Sequence, residues 1–206
     1  MKDLPLPAPA LAPADLPTGR FLSLLGEAWF PCVGAKSALA RSAIEVREFD
    51  RLGSRCNDAP LLDELAAFGA RLDASGDDRA LASFAAVFDG PGDTDERRFE
   101  ALLWSQLQRL HEIDARRGSP WAPGVARAPD DPRFGLSLAG RAYFVVGLHP
   151  GASRIARRFD WPALVFNPHE QFERLRADGR YARMQAAIRG RELALQGSLN
   201  PNLADF

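Results

Sequence analysis

The segment that decides the fold is YFVVGLHPGASR, at residues 143–154. Its apolar run is typical of a β-strand, and the Pro-Gly pair after His149 ends that strand. A second strand pattern, PALVF at residues 162–166, runs into an Asn-Pro pair and then into His169. Two of the three histidines therefore follow strand ends, where rigid scaffolds commonly hold functional side chains.

Helical patterns occupy most of the chain before these strands. Apolar residues spaced three and four apart predict helices over residues 21–30, 37–44, 58–72 and 81–88, and residues 44–49 alternate as a strand. The clearest amphipathic stripe follows Asp93, which with Glu96 matches a capping box, and it ends near Gly118. Residues 119–133 contain four prolines and predict a loop.

Short strands and two helices follow that loop. We predict strands over residues 134–138, 142–148 and 163–166. Asn167, Pro168, His169 and Glu170 fit the first four positions of a helix, and Gly197 caps the last one. A helical N-terminal half packed on a small, mostly antiparallel sheet, with C-terminal helices, defines an α+β fold. We expect one domain over residues 19–206, after a flexible Pro/Ala-rich tail at 1–18.

The composition limits the classes of function. The chain has 206 residues and a net charge of −1, which gives no reason to expect a nucleic-acid or membrane partner. Two cysteines are too few for a disulfide framework, and no signal-peptide or membrane-spanning pattern is present. We therefore expect a cytoplasmic protein. Serine-nucleophile, dinucleotide, P-loop and kinase motifs are absent from the sequence.

Each histidine after a strand has two interpretations. His149 is a candidate metal ligand, or a hydrogen-bonded residue that locks the turn. His169, near a helix N-terminus, is expected to stay neutral, as a metal ligand or general base requires. The alternative for His169 is a helix-start residue that faces water.

One cysteine and three arginines are further candidates. Cys32 lies in an apolar turn rich in helix- and strand-breaking residues. It is either a thiolate ligand to iron or a small buried apolar residue. Arg154, Arg157 and Arg158 are spaced to share one face of a short helix. Their guanidinium groups suit cofactor propionates or a substrate carboxylate, and a solvated or ion-paired face is the alternative.

Four motifs together resemble the YqcI/YcgG family, over roughly residues 20–206. The part at residues 143–203 is the most specific in order and spacing. The motifs are Phe30-Pro31-Cys32, Gly147-Leu148-His149-Pro150 with Ser153-Arg154, Val165-Phe166-Asn167-Pro168-His169 with Gln171-Phe172-Glu173, and Gln196-Gly197-Ser198-Leu199-Asn200-Pro201.

The resemblance implies a haem-dependent enzyme. Characterised relatives include N-oxygenases that hydroxylate guanidine nitrogens of arginine or its derivatives, as in guanitoxin and D-cycloserine biosynthesis. The matching positions are Cys32, His149, Arg154, Asn167, His169 and Asn200. Relatives usually continue into a further segment with a Cys-Pro-Phe element, whereas this sequence ends at Phe206. If that segment closes the pocket, we expect a cofactor-poor or diverged protein.

Three hypotheses follow from the sequence. The first is a haem-binding oxygenase that hydroxylates a guanidine or amine nitrogen of a small arginine-like substrate, with His149 or His169 as the iron ligand. The second is a non-catalytic haem-binding or stress-related protein on the same scaffold. The third is a non-haem metal enzyme that combines both histidines with Glu170 or Asp160.

Overall fold

A computed structural model describes residues 16–76, 81–128 and 130–200 of the chain. The helices are α1 (Pro17–Gly26), α2 (Val33–Ala40), α3 (Asp58–Ser75), α4 (Glu96–Arg116), α5 (His169–Ala177) and α6 (Arg180–Gln196). The strands are β1 (Ile44–Phe49), β2 (Ser83–Phe88), β3 (Leu136–Leu138), β4 (Arg141–Leu148) and β5 (Ala163–Pro168). Within these residues, no helix combines the length and apolarity needed to cross a membrane.

The strands form one sheet in the order β1-β2-β5-β4-β3. β1 pairs with β2 in parallel, and the other three pairings are antiparallel. The predicted α+β class and mostly antiparallel sheet are therefore confirmed. The N-terminal half is less helical than expected, because it contributes two of the five strands.

The prediction of a helix over residues 81–88 is wrong, because Ser83–Phe88 is strand β2. All six of its residues are buried, since β2 lies inside the sheet with helices over both faces. Phe84, Ala86 and Phe88 face one helical layer, and Ala85 and Val87 face the other. A strand buried on both faces has no polar positions, so its sequence shows no alternation.

The two faces of the sheet differ in what covers them. On the closed face, α3 and α4 pack on the sheet through the aromatic rings of Phe68, Phe84 and Phe166. On the hollow face, α1 and α2 cover part of the sheet, and α5 and α6 border a pocket there.

A buried polar cluster joins α3 to α4 on the closed face. Asp58 accepts hydrogen bonds from Gln106 Nε2 at 2.6 Å and from Arg109 Nε at 2.8 Å. Arg109 also donates to the Gly53 carbonyl at 3.0 Å. Because buried charges are costly unless paired and hydrogen-bonded, this cluster fixes how the two helices sit together.

Several predicted helix starts are corrected. Asp95, not Asp93, caps α4, because its carboxylate accepts from the Arg98 N–H at 2.7 Å. α5 begins at His169, and Asn167 belongs to β5 instead of capping the helix. The expected helix over residues 37–44 lies at 33–40.

The chain termini lie partly outside the described residues. α1 begins at Pro17, so Pro17 and Thr18 of the predicted tail are helical, while residues 1–15 are outside the described part. The final helix ends as predicted, with Gly197 in the left-handed conformation at φ 73°. Such a conformation is cheap for glycine, which has no Cβ.

Candidate functional site

A wide cleft of 1620 Å³ opens beside the start of α5. The C-terminal half of α3, the β3–β4 turn and the loop around residues 122–134 form its other walls. Phe68, Phe134 and Phe144 contribute aromatic surface to it. Its charged lining residues are of both signs: Arg41, Arg133, Arg141, Arg174, Arg176, Glu45, Asp73, Glu170 and Glu173.

His169 lines this cleft. Its ring stacks on Phe144, with ring centroids 4.8 Å apart, and 20% of its side chain is exposed. Burial lowers the pKa of His169, although Glu173, whose Oε1 lies 3.8 Å from Nε2, opposes this effect. Burial therefore favours the neutral imidazole that we predict for His169.

Two carboxylates on the cleft wall, those of Asp73 and Glu170, have unused hydrogen-bonding capacity. Arg141 pairs with one oxygen of Asp73 and one oxygen of Glu170. A carboxylate accepts about four hydrogen bonds through its two oxygens, so each can take a second cationic donor. A guanidinium group entering from solvent could therefore be bound without displacing Arg141.

A smaller, apolar pocket of 120 Å³ lies on the hollow face. Four elements meet at this pocket. Cys32 precedes α2, Leu148 ends β4, Asn167 lies near the end of β5, and Ile188 lies on α6. Most of its remaining lining is aliphatic or aromatic. Residues that are far apart in the sequence thus line one pocket.

The β5–α5 junction separates the cleft from the pocket. Asn167 Oδ1 accepts from Ser83 Oγ at 2.7 Å, and Asn167 Nδ2 donates to the Phe144 carbonyl at 3.2 Å. Gln171 lines both spaces, and its Oε1 accepts from the Ala82 N–H at 2.9 Å. Asn167 therefore holds the wall between the two spaces, where we had predicted a cofactor-binding residue.

The three candidate arginines do not share one face, so that prediction is wrong. Residues 155–157 form a single 3-10 turn, which directs each side chain differently. Arg154 pairs with Glu192 at 2.9 Å and bonds to Ser198, and Arg158 Nε donates to the Ala152 carbonyl at 2.8 Å. Only Arg157 lines the apolar pocket, together with Cys32.

His149 lies in a different environment from His169. Its residue is 3% exposed, and its ring stacks on Phe99 with centroids 4.4 Å apart. Burial lowers the pKa of His149, with Glu96 acting in the opposite direction. It lines neither the cleft nor the apolar pocket, and its Nδ1 has no hydrogen-bond partner among the described residues.

The proposed non-haem metal site is not formed. Among the described residues, no group of three or more His, Cys, Asp or Glu side chains is arranged to hold a metal ion. Asp160 pairs with Arg20 at 2.8 Å, and Glu170 pairs with Arg141. Asn200 is the last described residue, beyond the cap of α6.

Comparison with known proteins agrees with this arrangement of motifs. The model of the YqcI/YcgG family matches residues 21–206. The chain belongs to the YqcI/YcgG family. The family resemblance seen in the sequence is therefore confirmed.

This chain is similar to a curated protein of Streptomyces lavendulae, which is named "Putative N(omega)-hydroxy-L-arginine synthase DcsA". The two are 30% identical over 107 residues, which is 49% of this chain and 38% of the relative. The aligned part thus spans about two fifths of the relative's length. No solved structure matches the family member at a significant level.

Sequence reasoning missed the residues that give the cleft its charge pattern. Arg41, Asp73 and Arg141 belong to different elements, and none of them lies in a family-like motif. The one available signal was the position of Arg141 directly before the strand predicted over residues 142–148. Its pairing with Asp73 depends on a contact over 68 positions, which a local pattern cannot show.

Proposed function

We propose that this chain hydroxylates a guanidine nitrogen of a small arginine-like substrate in the wide cleft. The observation that carries the proposal is a largely buried imidazole, that of His169, in the wall of a cleft with charges of both signs. The name of the Streptomyces lavendulae relative supports the same substrate class.

The charges of the cleft complement an arginine-like molecule at both ends. Asp73 and Glu170 would accept hydrogen bonds from the substrate guanidinium through the oxygens that Arg141 leaves open. Arg41, on the same cleft, would bind its carboxylate. Binding at both ends would fix the position of the reacting nitrogen.

Haem fits the cleft better than it fits the apolar pocket. A volume of 1620 Å³ exceeds the roughly 300–1,000 Å³ of sites for drug-sized ligands, whereas 120 Å³ is far below that range. His169 would hold the iron, with Phe144 supporting its ring, and cleft arginines other than Arg41 would pair with the propionates. Bound haem would supply the oxygen-transfer chemistry.

The cofactor assignment is tested on the full chain reconstituted with haem. We expect a Soret band at a stoichiometry near one haem per chain. The band should be lost or shifted in His169→Ala and kept in His149→Ala. His111→Ala is the matched control, because His111 contacts Trp121 and lines neither space described above. A band that survives in His169→Ala but is lost in His149→Ala would overturn the assignment to His169.

The activity is tested with L-arginine and an electron donor, or with peroxide, and mass spectrometry follows the added oxygen atom. L-Citrulline is the matched substrate control, because it replaces the guanidinium by a neutral urea. We expect hydroxylated product from L-arginine and none from L-citrulline. If these carboxylates bind the guanidinium, the double variant Asp73→Asn with Glu170→Gln should form about 10- to 100-fold less product. Equal turnover in this double variant would exclude that binding mode.

A further inference from the structure

The apolar pocket on the hollow face contains one polar group that the fold does not satisfy. Its neutral polar side chains each have a partner: Ser83 with Asn167, Gln171 with the Ala82 N–H, and Cys32 Sγ with the Ala35 N–H at 3.4 Å. The guanidinium of Arg157 has no hydrogen-bond acceptor within the described part of the chain.

The charge of Arg157 is only partly balanced by its neighbours. Glu192 attracts it, but that carboxylate is hydrogen-bonded to Arg154 Nη2 at 2.9 Å. The lining residues described here include no Asp or Glu. Because a guanidinium has five N–H donors and stays protonated in proteins, the pocket offers several unused donors to an acceptor that enters it.

The remaining walls select the body of the ligand. Phe21, Phe30, Val146, Leu148, Phe172 and Ile188 present apolar surface to the pocket. Its volume of 120 Å³ is close to that of a cavity of about 150 Å³ that binds benzene. The occupant should therefore have an apolar body of about six carbon atoms.

We infer that the apolar pocket binds a small monocarboxylate with an apolar body, whose carboxylate pairs with the Arg157 guanidinium. A planar guanidinium forms two parallel hydrogen bonds with a carboxylate, which is stronger than a bond to a neutral oxygen. This site is separate from the wide cleft, because Asn167 and Gln171 stand between the two spaces.

The same charge pattern excludes the substrate class assigned to the cleft. An arginine side chain would place a second guanidinium beside Arg157, with no carboxylate in the lining to bind it. Like charges in a site of low polarity repel each other strongly. The pocket and the cleft therefore differ in ligand class, and this inference does not depend on the proposed function.

The test is calorimetric titration of the full chain, without haem, with benzoate and hexanoate. Benzyl alcohol and 1-hexanol are the matched probes, because they keep the apolar body and lose the charge. We expect both acids to bind about 10-fold or more tightly than their alcohols, and L-arginine not to displace benzoate. This comparison needs no variant, so it does not depend on how a substitution folds.

Arg157→Gln provides the second arm. It should weaken benzoate binding about 10- to 100-fold and leave the binding of benzyl alcohol unchanged. Arg158→Gln is its control, because Arg158 is adjacent in sequence but donates to the Ala152 carbonyl outside the pocket. Circular dichroism checks that both variants fold.

Three results would overturn the inference. One is equal affinity for the acids and the alcohols, and another is unchanged benzoate binding in folded Arg157→Gln. The third is the absence of acid binding at millimolar concentration. Failure of haem uptake or of arginine turnover would leave this test unaffected, because neither enters the titration.

Discussion

Helices cover both faces of the sheet, but the closed face is filled by side chains whereas the hollow face retains a pocket. On the closed face, interlocking rings of Phe68, Phe84 and Phe166 fill the space, and Asp58, Gln106 and Arg109 satisfy each other. On the hollow face, the helices leave a pocket with one cation, Arg157, whose guanidinium makes no hydrogen bond within the described residues.

This difference separates stability from binding. Close-packed interiors contribute dispersion contacts and apolar burial, whereas a pocket gives up part of both. The closed face should therefore carry most of the free energy of unfolding. The hollow face, together with the cleft at its edge, is then free to bind small molecules. Substitutions on the two faces should differ accordingly.

The largest expected effect is that of Phe84→Ala on the closed face. Phe84 is fully buried between Phe68 and Phe166, so its removal leaves a cavity and should cost about 3–5 kcal/mol of unfolding free energy. Phe172→Ala on the hollow face is the matched change, because Phe172 is only partly buried and already borders a pocket. We expect it to cost about 1–2 kcal/mol. Equal losses in urea unfolding would contradict the comparison.

The next effect is that of Asp58→Ala, which leaves the Arg109 guanidinium buried without its carboxylate. Removing one partner of a buried ion pair costs about 3 kcal/mol or more. Asp63→Ala is the control, because Asp63 pairs with Arg117 at 2.5 Å on the surface, where such pairs contribute about 0–1 kcal/mol. Denaturant unfolding of both variants measures the difference in unfolding free energy. Similar losses would show that the buried cluster contributes no more to stability than a surface ion pair.

The sequence predicted the fold best where a helix has one buried side. α3 and α4 follow from their apolar stripes, and β4 and β5 follow from short apolar runs between breakers. β2 was missed because burial on both faces removes the periodicity on which the prediction depends. The start of α4 was misplaced because Asp93 and Asp95 both match a cap by residue type.

The site was predicted less completely than the fold. The motifs identified His169 and Cys32 as candidates, and the arginine spacing added Arg157, but neither signal showed that these residues lie in two separate spaces. That separation arises where β5 passes into α5, and it depends on the Asn167–Ser83 bond across 84 positions. Local spacing cannot specify such a contact, which is set by strand register.

Helix capping gives a smaller contrast between the faces. The carboxylate of Asp95 caps α4 on the closed face, whereas the weaker acceptor Cys32 Sγ caps α2 on the hollow face. We expect Asp95→Ala to cost about 1 kcal/mol, and Cys32→Ala to cost less. Asp93→Ala, in the position first taken for the cap, should stay within about 0.5 kcal/mol of the unsubstituted chain. A larger effect for Asp93 would restore the capping box that the structure corrects.

The smallest effect concerns the two histidines and the response to acid. Burial lowers the pKa of both His149 and His169, so the unfolded chain, with histidine near about 6.5, takes up protons before the folded chain does. The free energy of unfolding should therefore reach its full value above about pH 6.5 and should decline as the pH falls below that value.

The faces predict which histidine dominates this decline. His149 is stacked on Phe99 of α4, where 3% of the residue is exposed, whereas 20% of the His169 side chain is exposed in the cleft. Protonating the more deeply buried ring is the more costly. His149→Asn should thus flatten the loss of unfolding free energy between about pH 7.5 and about pH 5.5 more than His169→Asn does. Urea unfolding at both values measures this slope, and a flatter profile for His169→Asn would place the acid-sensitive group in the cleft instead.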